Sequence, residues 1–297
     1  MVPDLVALAI PAGPAYVDAL QRIWDTGAAV LPVDLRLPEA AQQRLVESLG
    51  ANRVVDATGE HTLAAGRPTE AGDALVVATS GTTGTPKGVV ITHDALDAAA
   101  FATSKGVDAD PAADGWLCCL PVAHMGGLGV ITRAVRTGTP LVVHDGFDAE
   151  AVEAAARAGS TLVSLVPTAM RRIDTSLFRT ILVGGSAIPP DRPANSMATY
   201  GLTETCGGVI YERQALEGVE VREGAETSQV SEMYEQFGWD HATTDSSAMR
   251  SDGQMRFVMR TVIPAQPIQD DLDRKRLSFR KGEMVQLSAA EVAELLE

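Results

Sequence analysis

Residues 76–93 read VVATSGTTGTPKGVVITH, and this stretch decides how the rest of the chain is read. Apolar runs flank a segment dense in glycine, serine and threonine, with a single lysine inside it. Val76 to Ala78 end a strand, and Thr79 to Gly88 form a loop. Glycines let backbone amides approach a bulky anion. The hydroxyls of Thr79, Ser80, Thr82, Thr83 and Thr85 add donors, and Lys87 adds a mobile positive charge. That chemistry suits a polyphosphate; the bland alternative is a mobile turn with a solvated lysine. The common nucleotide loop G-x-x-x-x-G-K-[ST] is not met, because Pro86 precedes Lys87 and Gly88 follows it. G-x-G-x-x-G is not met either.

Outward from the loop, helix-like and strand-like segments alternate through the first 200 or so residues. Helices are expected at 38–49, 94–104, 127–136 and 148–158. Strands are expected at 53–56, 74–79, 116–120, 141–144, 162–166 and 180–183. Repeated βα units predict an α/β fold with parallel strands and helices on the faces. Beyond about residue 223 the rhythm fades. A strand hairpin is expected near 255–260, and a closing helix at 288–297 with Val292, Leu295 and Leu296 on its apolar face.

The composition sets bounds. Hydrophobic residues form 45% of the 297, enough to exclude a disordered chain. The net charge of −15 argues against a sequence-independent grip on nucleic acid. Three cysteines without metal spacing, Cys118, Cys119 and Cys206, give no disulfide framework and fit a reducing cytoplasm. No signal peptide is expected, and no apolar run approaches the roughly 20 residues of a membrane helix. Oligomeric state is not legible.

The loop resembles the phosphate loop of the acyl-adenylate-forming superfamily, which includes acyl-CoA synthetases, aryl-acid ligases and adenylation domains of peptide synthetases. Thr79 to Gly88 satisfies that family's [ST]-S-G-[ST]-T-G-x-P-K-G at every defined position. Further segments follow in the family's order: LPVAHMGGLGV (120–130), LVPTAM (165–170), LVGGSAIPP (182–190) and ATYGLTET (198–205). The resemblance implies an adenylate-forming N-terminal domain with a small α+β lid after it. It implies nucleotide contacts from Thr79, Ser80, Gly81, Thr82, Thr83, Gly84, Lys87 and Gly201, with Gly184, Gly185 and Ser186 bringing backbone against adenine. Tyr200 would stack on adenine, Thr203 would touch the α-phosphate, and Glu204 would hold Mg²⁺. His124 would stand near the acyl pocket; taken alone, it reads as a histidine capping a helix start. FGWDHATTD (237–245) and SDGQMRFVMR (251–260) echo later motifs and place Asp245 on the ribose and Arg260 before the hinge. They depart from the family at Thr244 and Met259, where glycine is expected. The expected division is an AMP-binding core at 1–260, its resemblance strong to 223, and a hinge with a truncated lid remnant at 261–297. No residue matches the lid lysine.

The compact stretch ahead of the loop is similar to that of the o-succinylbenzoate–CoA ligases of the short actinobacterial type. The resemblance therefore implies a carboxylate–CoA ligase acting through an acyl-adenylate, with ATP, Mg²⁺, coenzyme A and a small carboxylic acid, o-succinylbenzoate or another aryl or acyl acid. The competing readings are a nucleotide- or acyl-adenylate-binding remnant that no longer turns over, and a hydrolase using Ser186 or Ser80. The last is poor, because G-x-S-x-G is met at neither serine.

Overall fold

The computed structural model describes residues 3–63, 66, 69–79 and 87–219, together with the backbone of Val258–Met259 and Val285–Gln286. The chain opens with β1 (Leu5–Ala9), α1 (Pro14–Asp25), β2 (Ala29–Pro32), α2 (Glu39–Leu49), β3 (Arg53–Asp56) and β4 (Gly59–Thr62). β5 (Asp73–Thr79), β6 (Lys87–Thr92) and α3 (His93–Gly106) follow. Next come β7 (Trp116–Cys118), α4 (Met125–Thr137), β8 (Leu141–Val143), α5 (Ala149–Arg157), β9 (Leu162–Leu165) and α6 (Pro167–Met170). Then β10 (Thr180–Val183), β11 (Ser196–Leu202), β12 (Gly207–Tyr211) and β13 (Gln214–Ala215).

Two sheets organise these elements, in the orders β4-β3-β1-β2-β5-β6 and β13-β12-β11-β10-β9-β7-β8. Strand alternation makes both sheets two-faced. Val6 and Leu8 enter a core shared with α1, α3 and α4, while Leu5 and Ala7 point to a second core under α2. In the other sheet Trp116 and Leu182 join the shared core, whereas Leu117, Ile181 and Val183 face α5 and α6. The result is five layers, with α1, α3 and α4 clasped between the sheets. This is the α/β class that the sequence predicts.

Local chemistry explains the helix ends. Thr92 caps α3, its side chain accepting from the Ala95 amide at 3.2 Å, and Asp148 caps α5 through the Ala151 amide at 2.9 Å. Gly50 and Gly138 end α2 and α4 with φ of 73° and 69°, a left-handed conformation that favours glycine.

The starts of β7, β9 and β10 are tied by one buried carboxylate. Asp114 accepts from Arg179 Nε at 2.9 Å and Nη2 at 2.7 Å, and from the hydroxyl of Thr161. Arg179 also donates to the carbonyls of Val107 and Asp108, just past α3. Burial alone would push the Asp114 carboxyl up, but the hydrogen bonds from Arg179 and Thr161 outweigh it and bring the pKa down to about 2. The opposite, C-terminal ends of these strands stay open for a ligand.

The structure corrects three expectations. Lys87 and Gly88 lie on β6 rather than in the loop, paired antiparallel with Thr79 and Ala78. The β-branched run Val89-Val90-Ile91-Thr92 favours a returning strand there. The sheets are not wholly parallel either, since β4, β6, β12 and β13 each run antiparallel to a neighbour. The strand expected to reach residue 120 ends at Cys118. In the tail, Val258–Met259 (β14) pairs antiparallel with Val285–Gln286 (β15), and the rest of the hairpin expected near 255–260 lies outside the described residues. The closing helix at 288–297 and the boundary at 260/261 lie outside the described residues. Among the described residues no helix is long and apolar enough to cross a membrane.

Candidate functional site

A cavity of about 270 Å³ opens at the C-terminal ends of β7, β9 and β10. Its wall includes Leu120 beyond β7, Leu165 and Val166 at the end of β9, and Gly184 beyond β10. Residues from α3 and α4 close one side, and the β11–β12 turn closes the other.

Five of the expected site residues line this cavity together: His124, Gly184, Gly185, Gly201 and Thr203. The glycines are there for space. A Cβ on Gly184 would sit 2.5 Å from Thr199 Oγ1, and one on Gly201 would sit 1.9 Å from the Gly207 carbonyl oxygen. Thr205, fully buried, holds the turn after Gly201: its hydroxyl accepts from the Leu202 amide at 2.8 Å and lies 2.7 Å from the Gly207 carbonyl. Cys206 follows with φ of 59°, an uncommon conformation for a non-glycine residue.

Glu204 is buried beside this turn, with 8% of its surface exposed. Burial lifts its carboxyl above the ordinary range, while its own backbone amide and the charge of Lys87 pull the other way. The field of Lys87 therefore reaches Glu204, so the lysine after the loop and the acid after Tyr200 share one side of the molecule. Mg²⁺ bound to a nucleotide needs one or two protein carboxylates, with phosphate oxygens supplying the remainder. Glu204 alone fits that demand; no cluster of three potential ligands occurs among the described residues.

Other expected residues are placed differently. Tyr200 packs into the core under α5 and α6, is only 5% exposed, and does not line this cavity. Ser186 is exposed and does not line the cavity. Thr79 ends β5, its hydroxyl 3.5 Å from the Lys87 carbonyl. Ser80, Gly81, Thr82, Thr83, Gly84, Asp245 and Arg260 lie outside the described residues. His124 occupies the N-cap position of α4 but makes no capping hydrogen bond, so the capping reading of it fails. Its Nε2 instead lies 3.2 Å from Arg36 Nη2 and 3.5 Å from Asp34 Oδ2.

The residue that sequence reasoning missed is Arg133. It lines the cavity, its guanidinium lies 4.4 Å from the Trp116 ring centroid, and its buried Nη1 has no hydrogen-bond partner. Burial pulls its pKa down, with Tyr211, Cys206 and Cys118 opposing. Tyr211 and Thr103 form a hydroxyl pair at 3.2 Å, also on the cavity wall. The signal for Arg133 was weak: one of two arginines on α4, nine residues after His124. The cysteines are inert by comparison, all free, buried and pushed up to about 12.

A glycine-lined cavity at the C-terminal strand ends defines a ligand-binding α/β protein. The chain belongs to the AMP-binding enzyme family, whose model matches residues 62–230. It is 32% identical over 155 residues to the 2-succinylbenzoate–CoA ligase of Enterococcus faecalis, covering 46% of this chain and 31% of that one. It is 31% identical over 251 residues to a feruloyl-CoA synthase of Amycolatopsis sp., covering 70% of this chain and 50% of that one. Among solved structures, it is similar to the O-succinylbenzoate coenzyme A synthetase of Bacillus subtilis in complex with ATP and magnesium ion. The TM-score is 0.65 at 21% identity, over 75% of this chain and 57% of the other. The chain thus spans about a third to a half of the length of these curated relatives.

Proposed function

We propose that the chain carries the adenylate-forming site of an ATP-dependent carboxylate–CoA ligase, with o-succinylbenzoate as its acid. One observation carries the choice of acid: Arg133 puts a cationic guanidinium in the cavity wall. A donor of that kind calls for an acceptor, and a carboxylate is the best match. An acid with two carboxylates presents one to Arg133 while the other is activated. Ferulate, with a phenol and a methyl ether at its far end, offers no second charge. The resemblance to 2-succinylbenzoate–CoA ligases supports the same substrate class.

In the first half-reaction a carboxylate oxygen attacks the α-phosphorus of ATP, the bond to the leaving pyrophosphate breaks, and an acyl-adenylate forms. In the second, the thiolate of coenzyme A attacks the acyl carbonyl and AMP departs. The nucleophiles belong to the substrates, so the protein supplies alignment and charge. Thr203 offers its hydroxyl to the α-phosphate, and Gly184, Gly185 and Gly201 let the backbone come close to the adenosine. Lys87 offsets phosphate charge. Glu204 holds Mg²⁺, which when bound neutralises developing charge on the phosphate oxygens. Tyr200 acts from within the core, bracing β11 under the site. Thr79, Ser80, Gly81, Thr82, Thr83 and Gly84 cradle the phosphates.

A second reading is a site that binds nucleotide without turning it over. The departures at Thr244 and Met259 favour it. Acid-dependent ATP–pyrophosphate exchange separates the two. Exchange lost in Lys87→Ala and Glu204→Ala supports the ligase; MgATP binding without exchange in the wild type supports the binding site.

A further inference from the structure

We propose that Arg36, clamped by Asp34, is a positioning residue that fixes the orientation and tautomer of His124 at the cavity mouth. The role of His124 toward substrate rests on the ligase reading above; the contact itself rests on geometry.

Arg36 lies in the loop between β2 and α2. Its Nε donates to Asp34 Oδ1 at 2.8 Å, its Nη2 to Oδ2 at 2.6 Å, and its backbone amide to Oδ1 at 3.0 Å. Two bonds from the guanidinium to a carboxylate that the backbone amide also anchors hold the guanidinium plane in place. Its side chain is nevertheless 61% exposed, and Leu35 and Leu37 beside it are exposed as well. The tip of the loop therefore contributes little to the core. What the clamp does is aim Nη2 at His124 Nε2, 3.2 Å away and 88 residues on in sequence.

A guanidinium can only donate. His124 Nε2 must then accept, which puts the ring proton on Nδ1. Asp34 Oδ2, 3.5 Å from the same nitrogen, would instead favour a proton on Nε2. Arg36 sits closer, and its bonds hold the Asp34 carboxyl down at about 2, so that carboxylate is already engaged. Among the described residues, Asp34 and Arg36 are the charged groups against this ring. The ring makes no capping bond to α4, so nothing local fixes it. The β2–α2 and β7–α4 loops both leave C-terminal strand ends, one from each sheet. The contact thus ties the two sheets at the rim where the ligand enters.

Two measurements test this. The first is a long-range ¹H–¹⁵N spectrum of ¹⁵N-histidine-labelled protein near neutral pH. The chain has five histidines, and His124 is assigned through His124→Gln. His124 is expected as the Nδ1–H tautomer in the wild type, shifting toward Nε2–H in Arg36→Ala. A wild-type His124 that is mainly Nε2–H, or a spectrum unchanged by Arg36→Ala, would overturn the proposal. The second is a double-mutant cycle on the acid-dependent exchange reaction. Arg36→Ala and His124→Ala are each expected to lower kcat/KM for the acid roughly tenfold, and the double variant no further. Arg36→Lys, which cannot make the fork, should recover less than half of the loss. Multiplying losses, of about a hundredfold together, would show that Arg36 does not act through His124. If the wild type shows no exchange at all, the ligase reading fails and the spectrum still decides the contact.

Discussion

Asp114→Asn removes the charge at the one point where β7, β9 and β10 start together. The carboxyl lies at about 2 against an ordinary 3.8. That difference corresponds to about 2.5 kcal/mol of stability at neutral pH. The sign follows from the lowered value. The contribution is complete above the unfolded-state pKa and is lost as pH falls through the folded one, so about half, roughly 1.3 kcal/mol, remains at about pH 3. The variant is therefore expected to be less stable than the wild type by about 2 kcal/mol near pH 6, with the gap narrowing by about half near pH 3. Urea unfolding followed by tryptophan fluorescence reads it directly, since Trp116 begins β7 and is fully buried. Only the difference between the two proteins matters, because every other carboxylate titrates in both. A gap that stays constant from about pH 6 to about pH 3, or no gap at all, would refute the claim that Arg179 and Thr161 hold a charged Asp114.

Asp73 gives the opposite sign. Burial pushes its carboxyl to about 6, and its Oδ1 has no partner, so wild-type stability relative to Asp73→Asn should fall by about 2–3 kcal/mol as pH rises from about 4 to about 8. Gly127→Ala places a Cβ 2.4 Å from the Leu120 carbonyl oxygen and 2.5 Å from that of Pro121, and should cost about 3 kcal/mol in denaturant unfolding while disturbing the loop that carries His124. Arg133→Met should leave MgATP binding, read by calorimetry, unchanged, while raising KM for o-succinylbenzoate at least tenfold, with monocarboxylic aryl acids little affected.

Much of this was legible in the sequence, for identifiable reasons. Arg53–Asp56 and Thr180–Val183 are short apolar or β-branched runs bounded by polar residues, and both form strands at the expected positions. The phosphate-loop and Tyr-Gly-Leu-Thr-Glu motifs, remote in sequence, predicted a shared site, and most of the phosphate loop lies outside the described residues. β1, α1 and β2 were not among the expected elements, although Pro14 opens α1 and Tyr16, Ala19, Leu20 and Ile23 repeat at helical spacing on its buried face. The antiparallel return of β6 was harder, because its partner β5 lies across the glycine-rich segment and no two-residue turn marks a hairpin. The fate of Tyr200 was not legible, since an aromatic ring on a strand faces ligand or core according to the alternation of its neighbours. The clamp on His124 could not be foreseen from spacing alone, for it joins loops from different sheets.

The most direct test of the central claim is calorimetric titration of MgATP into the 297-residue chain, its Lys87→Ala variant and its Glu204→Gln variant. The account predicts saturable one-to-one binding by the wild type. It also predicts at least tenfold weaker binding in each variant, with Glu204→Gln losing its dependence on magnesium. Equal affinity in all three proteins, or none in the wild type, would contradict it.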